Sequence, residues 1–376
     1  MRAPRVAVVG VGSIGSMVLW QLSRSGFDAV GFEQFGTAHD RSAAGGESRM
    51  FRTAYMEGAN YVPLLKEARK LWAELEDESG LELLTMTGGL MIGPRDHYKI
   101  ANVIQSTQDF DIEHEILEPA DVAERFPQHI LDEGEVAVLD HEAGLIRPEL
   151  AVFAAVDAAE RRGAVVHRHA RVDDIVEDAD RVQVVVGDDV HDFDAVVVTA
   201  GPWTPRFFPA LADDLVARKI VMTWYLSDDP ARFTPGAFPV FGRVGGVIDT
   251  FGVPSLEGTM TKIGSVNTFG DISDPDRLGR DIELDELTHI NNEVSRCING
   301  LRPDPARISV HMDGYTTDEH PVVGKAQGSE RITVMGGYSG HGFKLAPVMG
   351  RIGCELATTG ETSFAIPHMN PQRFDA

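Results

Sequence analysis

Cysteine is nearly absent: Cys297 and Cys354 are the only two in 376 residues. Thiols so spaced form neither a zinc motif nor a disulfide framework, and they are consistent with a reducing compartment. Lysine is scarce too, at seven of the 34 basic side chains. A lysine kept inside an apolar or glycine-rich stretch therefore asks for a reason. Positive net charge is missing: 58 acidic side chains bring the formal charge to −24. That excludes the basic surface that nucleic acid requires and leaves solubility, or a salty interior, as the use of the acidity. No stretch approaches the roughly 20 apolar residues of a membrane span. Residues 6–20 follow Arg2 and Arg5 much as a signal peptide would, but Gly10, Gly12 and Gly15 interrupt the run and no small-residue cleavage site follows. The expectation is a cytoplasmic protein, monomeric or a small homo-oligomer, with neither nucleic acid nor membrane as partner.

Hydrophobic residues are plentiful at 43%, and the length suits two domains. Arg5-Val-Ala-Val-Val9 is a continuous apolar run, as in a strand buried on both faces. Helical spacing follows over 13–25 through Ile14, Val18, Leu19 and Leu22, with Gly26 as its left-handed cap. Ala29–Glu33, Ala195–Gly201 and Arg331–Met335 read as further strands, and 346–358 as a helix. Between them lie an amphipathic helix over 60–78, a strand at Gly88–Gly93 and an alanine-rich helix over 149–162. Paired strands around Val172 and Val184, an antiparallel sheet over 215–270 and a helix over 284–299 complete the pattern. The expected class is α/β, α+β overall. A Rossmann-like nucleotide domain (1–84, 146–214 and 305–376) is interleaved with a mainly antiparallel substrate domain (85–145 and 215–304).

Gly10-Val-Gly-Ser-Ile-Gly15 follows a strand, opens a helix and is succeeded by Glu33 at the end of the next strand. This is the full context of a dinucleotide fingerprint: a tight turn at Gly10, close backbone approach at Gly12, helix–sheet packing at Gly15. The helix N-terminus offers free N–H groups and a positive dipole end to phosphates. Glu33 suits a ribose diol and would repel the 2′-phosphate of NADP. Residues 34–55 then form a polar, arginine-bearing loop instead of the next strand and helix of an NAD-binding fold. This favours FAD over NAD.

Arg49-Met-Phe-Arg52, Lys262-Ile-Gly and Tyr338-Ser-Gly-His-Gly-Phe-Lys344, together with the whole of 46–55 and Asp318-Glu-His-Pro-Val-Val-Gly324, occur in a telling order. Through them the chain resembles the monomeric sarcosine oxidase and N-methyltryptophan oxidase family of D-amino-acid-oxidase-like flavoproteins, from Val6 to the Asn370-Pro-Gln-Arg-Phe tail. The resemblance implies FAD, a small amino acid with a secondary amine as substrate, and O2 reduced to hydrogen peroxide. It makes Arg52 and Lys344 the clamp of the substrate carboxylate, Arg49 an arginine lining the flavin ring, and Lys262 the lysine that activates O2. Elementary chemistry agrees. A buried carboxylate calls for a fixed cation, and a cation beside the flavin stabilises superoxide as it forms. The expected cofactor contacts are Gly10, Gly12, Ser13, Ile14, Gly15, Glu33, Gln34, Ser42, Arg49 and Val172. To these are added Ala200, Gly201, Trp203, His311, Gly337, Gly340, His341, Gly342, Phe343 and Lys344. No metal ligand set is expected.

The pattern also breaks. The family attaches its flavin through a cysteine where this chain has His311, so cysteinyl attachment there is excluded. Noncovalent FAD is expected, with a histidyl link through His311 as the alternative. The family's pocket histidines are replaced by Gly45 and by Ser265-Val-Asn267, and its tyrosine by Asp313. An enlarged, more acidic pocket is therefore expected, with Asp313 on the substrate side and an N-substituent larger than that of sarcosine. Competing readings are a deglycating oxidase of fructosyl amino acids, a flavin amine dehydrogenase, a nicotinamide dehydrogenase, and a flavin-binding protein without turnover.

Overall fold

The computed structural model describes residues 3–266 and 269–374. The apolar run Arg5–Val9 sits at the heart of a six-stranded sheet. In spatial order its strands are Val322–Lys325, Ile332–Gly336, Ala195–Val198, Arg5–Val9, Asp28–Glu33 and Val165–Arg168. All neighbours are parallel except the first pair. Parallel strands need cover on both faces. Helix Ser13–Arg24 covers one, packed between Pro148–Arg161 and Ala346–Thr359, with Val62–Ser79 behind them. The other face is closed by a small antiparallel sheet of Asp174–Glu177, Val182–Val186 and Asp189–Phe193. There Val182, Val184 and Phe193 meet Ala7, Val9, Val30 and Phe32. The left-handed residue after the first helix is Gly26, at φ +81°.

The second half of the architecture is a nine-stranded sheet. At one end Leu215–Ser227 pairs antiparallel with Met260–Ser265 and with Leu301–Thr316. Its single parallel pair joins Val240–Arg243 to Gly89–Pro94. A three-stranded sheet of Arg49–Phe51, Gly144–Ile146 and Leu84–Met86 lies where the two halves meet. No helix among the described residues is long and apolar enough to cross a membrane.

Two expectations need correction. Residues 34–55 are not wholly loop, because Arg49–Phe51 pairs with Gly144–Ile146. The boundary at 305 is also misplaced: Leu301–Thr316 is one strand of the large sheet, running opposite Leu215–Ser227 from Thr316 back to Leu301. The strand contains Pro303 and Pro305. The strand tolerates them because it pairs on one side only and its register shifts opposite Tyr225, beside Pro305.

Candidate active site

A cleft of about 1130 Å3 opens at the C-terminal ends of the parallel strands, the position at which open α/β sheets bind ligands. Its floor is the glycine turn. Gly10 adopts φ +90°, and a Cβ on Gly15 would lie 1.9 Å from the Gly10 carbonyl oxygen, so neither position admits a side chain. At Gly12 a Cβ would meet nothing nearer than Ser42 Cβ at 3.9 Å, which leaves its backbone open to a ligand. The helix that begins there has no side-chain cap and no acidic residue in its first turn. The hydroxyl of Ser13 is buried without a partner. Glu33 accepts from the backbone N–H groups of Val11 and Phe35, both at 2.9 Å; His39 Nε2 lies 3.3 Å from Oε1, and Oε2 keeps a lone pair for a diol. Unsatisfied N–H groups, an orphan hydroxyl and a fixed carboxylate fit the pyrophosphate and ribose of a dinucleotide.

Beside this cleft one loop holds two cations, Lys262 buried and Arg49 half-buried. Arg49 donates to the carbonyls of Ala43, Gly45 and Ser48. Lys262, 2% exposed on strand Met260–Ser265, donates to the carbonyls of Gly46 at 2.8 Å and Ser48 at 2.7 Å. Glu149 fixes the loop by accepting from the N–H groups of Gly46 and Glu47. Burial pushes the pKa of Lys262 well below the ordinary lysine range. Arg49 adds to this, while Glu149 and Glu47 oppose it. The outer side of Lys262 faces a small pocket walled by Glu47, Trp224, Leu256 and Met260.

A third group surrounds Tyr55. The Arg52 guanidinium carbon lies 5.2 Å and the Lys344 ammonium 5.0 Å from its ring centroid. Lys344 donates to the His341 carbonyl at 2.9 Å and to the Tyr55 hydroxyl at 3.3 Å. His341 directs Nε2 to the Glu319 carbonyl and Nδ1 to the Tyr55 hydroxyl, both at 2.9 Å. A carbonyl only accepts, so Nε2 carries the proton and Tyr55 donates to Nδ1. Arg52 is paired with Glu57 and touches Met91 Sδ, and its Nε has no partner. Burial, reinforced by Arg52 and opposed by Glu57, lowers the Lys344 pKa to about 7.

Residues 5–356 match the family described as FAD dependent oxidoreductase. The chain is 32% identical to monomeric sarcosine oxidase of Streptomyces avermitilis, over 99% of its own length and 98% of that protein's. To N-methyl-L-tryptophan oxidase of Citrobacter koseri it is 27% identical, covering 98% of both. The chain belongs to the FAD-dependent oxidoreductase family. In fold it is similar to NikD, an unusual amino acid oxidase essential for nikkomycin biosynthesis, at a TM-score of 0.85 with 21% identity over 99% and 98% of the two chains. The fructosyl amine oxidase amadoriase I of Aspergillus fumigatus gives 0.78 with 15% identity over 98% and 89%.

The FAD cleft is lined by Gly10, Gly12, Ser13, Ile14, Glu33, Gln34, Ser42, Arg49 and Val172 among the expected contacts. Ala200, Gly201, Trp203, Gly340, Gly342 and Phe343 complete that set. Gly15 and Gly337 shape the cleft from behind, and His311, His341, Lys344 and Lys262 stand outside its lining. Asp313 lies on the wall of the FAD cleft, apart from Arg52 and Lys344. Its carboxylate accepts from the N–H groups of Gly314 at 2.8 Å and Gly340 at 2.9 Å, so it braces the 337–342 loop. Burial raises its pKa to about 6. Asn267 lies outside the described residues. Sequence reasoning missed Thr199, Arg171 and Arg206 on the cleft, and Tyr55 and Glu57 beside Arg52. Thr199 was findable, since it ends a parallel strand next to the glycine turn and its hydroxyl donates to the Gly10 carbonyl at 2.6 Å. The two arginines carry no local signal.

The enlarged pocket inferred from Gly45 is also corrected. The volume is filled by His311, whose Cε1 would lie 2.5 Å from a Cβ at position 45. Its Nδ1 donates to the Asp40 carbonyl at 3.2 Å, and Nε2 accepts from the Ser309 hydroxyl at 2.6 Å. Burial, followed by Arg49, lowers its pKa to about 3, so the ring is neutral. We expect Gly45→Ala to cost about 1–3 kcal/mol through overpacking. The cost should largely vanish in a His311→Ala background. Urea unfolding of the four proteins of that double-mutant cycle measures the coupling.

Proposed function

We propose that this protein oxidises the C–N bond of an N-methyl or otherwise N-substituted amino acid to an imine, which water then hydrolyses, while O2 becomes hydrogen peroxide. The observation that carries this reading is the juxtaposition of Arg52 and Lys344 on one tyrosine, with Arg49 and Lys262 held by the next loop back. The first pair suits a carboxylate, and the second suits negative charge developing elsewhere. When bound, the flavin supplies the two-electron acceptor for the amine and the reductant for dioxygen.

In this reading Lys344 and Arg52 orient the substrate carboxylate, and the Tyr55 hydroxyl and His341 hold the ammonium of Lys344 in place. Glu57 already satisfies one arm of Arg52, so an entering carboxylate shares or displaces that contact. Lys262 stabilises charge on reduced oxygen, preorganised by the two carbonyls that aim it. His311 contributes packing and not attachment, because both ring nitrogens are committed to protein partners. The flavin is held noncovalently. The fructosyl reading loses its argument at position 45, which His311 fills, and a fructosyl amino acid serves as one arm of the test.

The deciding experiment is a peroxide-coupled screen of sarcosine, bulkier N-methyl amino acids, cyclic amino acids and a fructosyl amino acid, with acid precipitation of the same enzyme. Peroxide from an N-methyl amino acid and flavin in the supernatant are expected. Turnover confined to the fructosyl compound, or flavin in the pellet, would overturn the respective part. Lys262→Met is expected to slow reoxidation by about 100- to 1000-fold. Anaerobic reduction should change little, and stopped-flow absorbance separates the two half-reactions. Lys344 is charged below pH 7 and neutral above it. Binding of a small carboxylate without an amine, such as methoxyacetate, should therefore weaken about tenfold or more between about pH 6 and about pH 9. Flavin spectral titration reads this, and Lys344→Met should flatten the dependence.

A further inference from the structure

The segment between strand Asp271–Ile272 and helix Thr288–Cys297 has no part in the chemistry above, yet it reaches across to the FAD cleft. Asp276 lies in its 3-10 turn, Pro275–Arg277. The carboxylate accepts from the Trp203 indole N–H at 2.8 Å, from Arg206 at 2.6 Å and from Arg171 at 3.2 Å. Those three donors come from two separate stretches of the nucleotide half, and all three line the cleft. Asp274 caps the same turn, accepting from the Asp276 N–H at 3.0 Å, and adds a contact to Arg206 at 3.2 Å. Four residues beyond Asp276, Arg280 pairs with Asp40, whose carbonyl also receives His311. The segment is thus pinned on both sides. Between it and the cleft lies a second cavity, of about 990 Å3, that shares Gln34, Arg171 and Trp203 with the first.

We infer that Asp276 is a positioning residue for the cofactor: it gathers Trp203, Arg171 and Arg206 at the mouth of the FAD cleft and straps residues 274–280 over it, so that it governs the rate of FAD release. The inference rests on the FAD assignment and goes beyond it. Asp276 is the acceptor at which all three cleft-lining donors converge. Removing it frees Arg171 and the indole at once, leaves Arg206 with Asp274 alone and loosens one end of the strap. The other end, Arg280 on Asp40, stays in place. Trp203 is buried, but the charged side chains involved are open to solvent, from 31% for Asp276 to 57% for Arg171. The contact is therefore open to salt in a way that a buried one is not.

The test is FAD dissociation from the holoenzyme, followed by the recovery of FAD fluorescence on dilution, at low and high sodium chloride. Asp276→Ala should release FAD about tenfold faster than the wild type, the loss of one multi-donor contact. Asp276→Asn, which keeps an acceptor for the indole but not the charge, should fall between them. Salt should accelerate release from the wild type and leave Asp276→Ala nearly unchanged. The thermal midpoint of the flavin-free protein should be the same in all three. Equal release rates, or equal salt dependence in wild type and Asp276→Ala, would overturn the proposal. So would a flavin-free midpoint that falls in step with the release rate, since the residue would then serve the fold alone. If the alanine variant does not fold, the asparagine variant against wild type decides by the same salt criterion. A wild type that takes up no FAD would defeat the cofactor assignment instead.

Discussion

Two cations held by one loop, Lys262 buried and Arg49 half-buried, are the constraint around which this molecule is arranged. Removing a charge from water costs several kcal/mol unless its donors are fully engaged. The protein answers with main-chain carbonyls as the hydrogen-bond acceptors, Ala43, Gly45 and Ser48 for Arg49 and Gly46 and Ser48 for Lys262, while Glu47 and Glu149 act on the lysine only through space. Carbonyl dipoles stabilise the charges without cancelling them. A directly paired Asp or Glu would quench the field that the proposed reduction of oxygen would use. Glu149 acts one step removed, on the N–H groups of the same loop.

Everything that reaches this loop comes from somewhere else in the chain. Lys262 arrives on the large sheet, Glu149 on the helix Pro148–Arg161, and His311 on the strand Leu301–Thr316. The loop can hold its turn only if it is wedged, and the imidazole of His311 against Gly45 and Gly46 is the wedge. A glycine at 45 and a histidine at 311 therefore form one feature. Packing at native density makes such reciprocal exchanges the natural way to change a buried residue without opening a cavity. The two halves of the molecule are thus joined at the point where their charges must be coordinated. The strap from Asp276 to Arg280 makes a second junction at the other end of the cleft.

Much of this was legible in the chain itself, and the exceptions have a common cause. The strands Arg5–Val9 and Ala195–Val198, the glycine turn and the role of Gly26 are local patterns, and local patterns can be read in order. Most of the expected cleft residues lie on or next to such patterns. The errors were all pairings at long range. A glycine at 45 reads as empty space until the ring of His311, far along the chain, is seen to fill it. Asp313 reads as a pocket acid until Gly340 is seen to donate to it. Position 305 reads as a boundary between the halves until the strand that spans it is found paired with Leu215–Ser227. Arg171 and Arg206 look like any surface arginines until Asp276, with Asp274 beside it, gives them a place.

The scarcity of lysine acquires a physical meaning in this setting. Arginine stays charged wherever it is placed, whereas lysine can give up its proton when buried. Two fixed charges side by side would repel in an apolar pocket with nothing to offset them. At the Tyr55 site the arginine is compensated by Glu57, whose own pKa is held down to about 2 because Arg52 and Lys344 outweigh the effect of burial. The second cation is then the adjustable one. Lys344 near pKa 7 can remain neutral beside Arg52 while the site is empty, and an arriving carboxylate would favour its protonation. An arginine at 344 would keep its charge at all times and would have to be neutralised permanently, as Arg52 is. On the proposed reading, lysine at that position would let the site hold a carboxylate strongly without storing an uncompensated charge between turnovers.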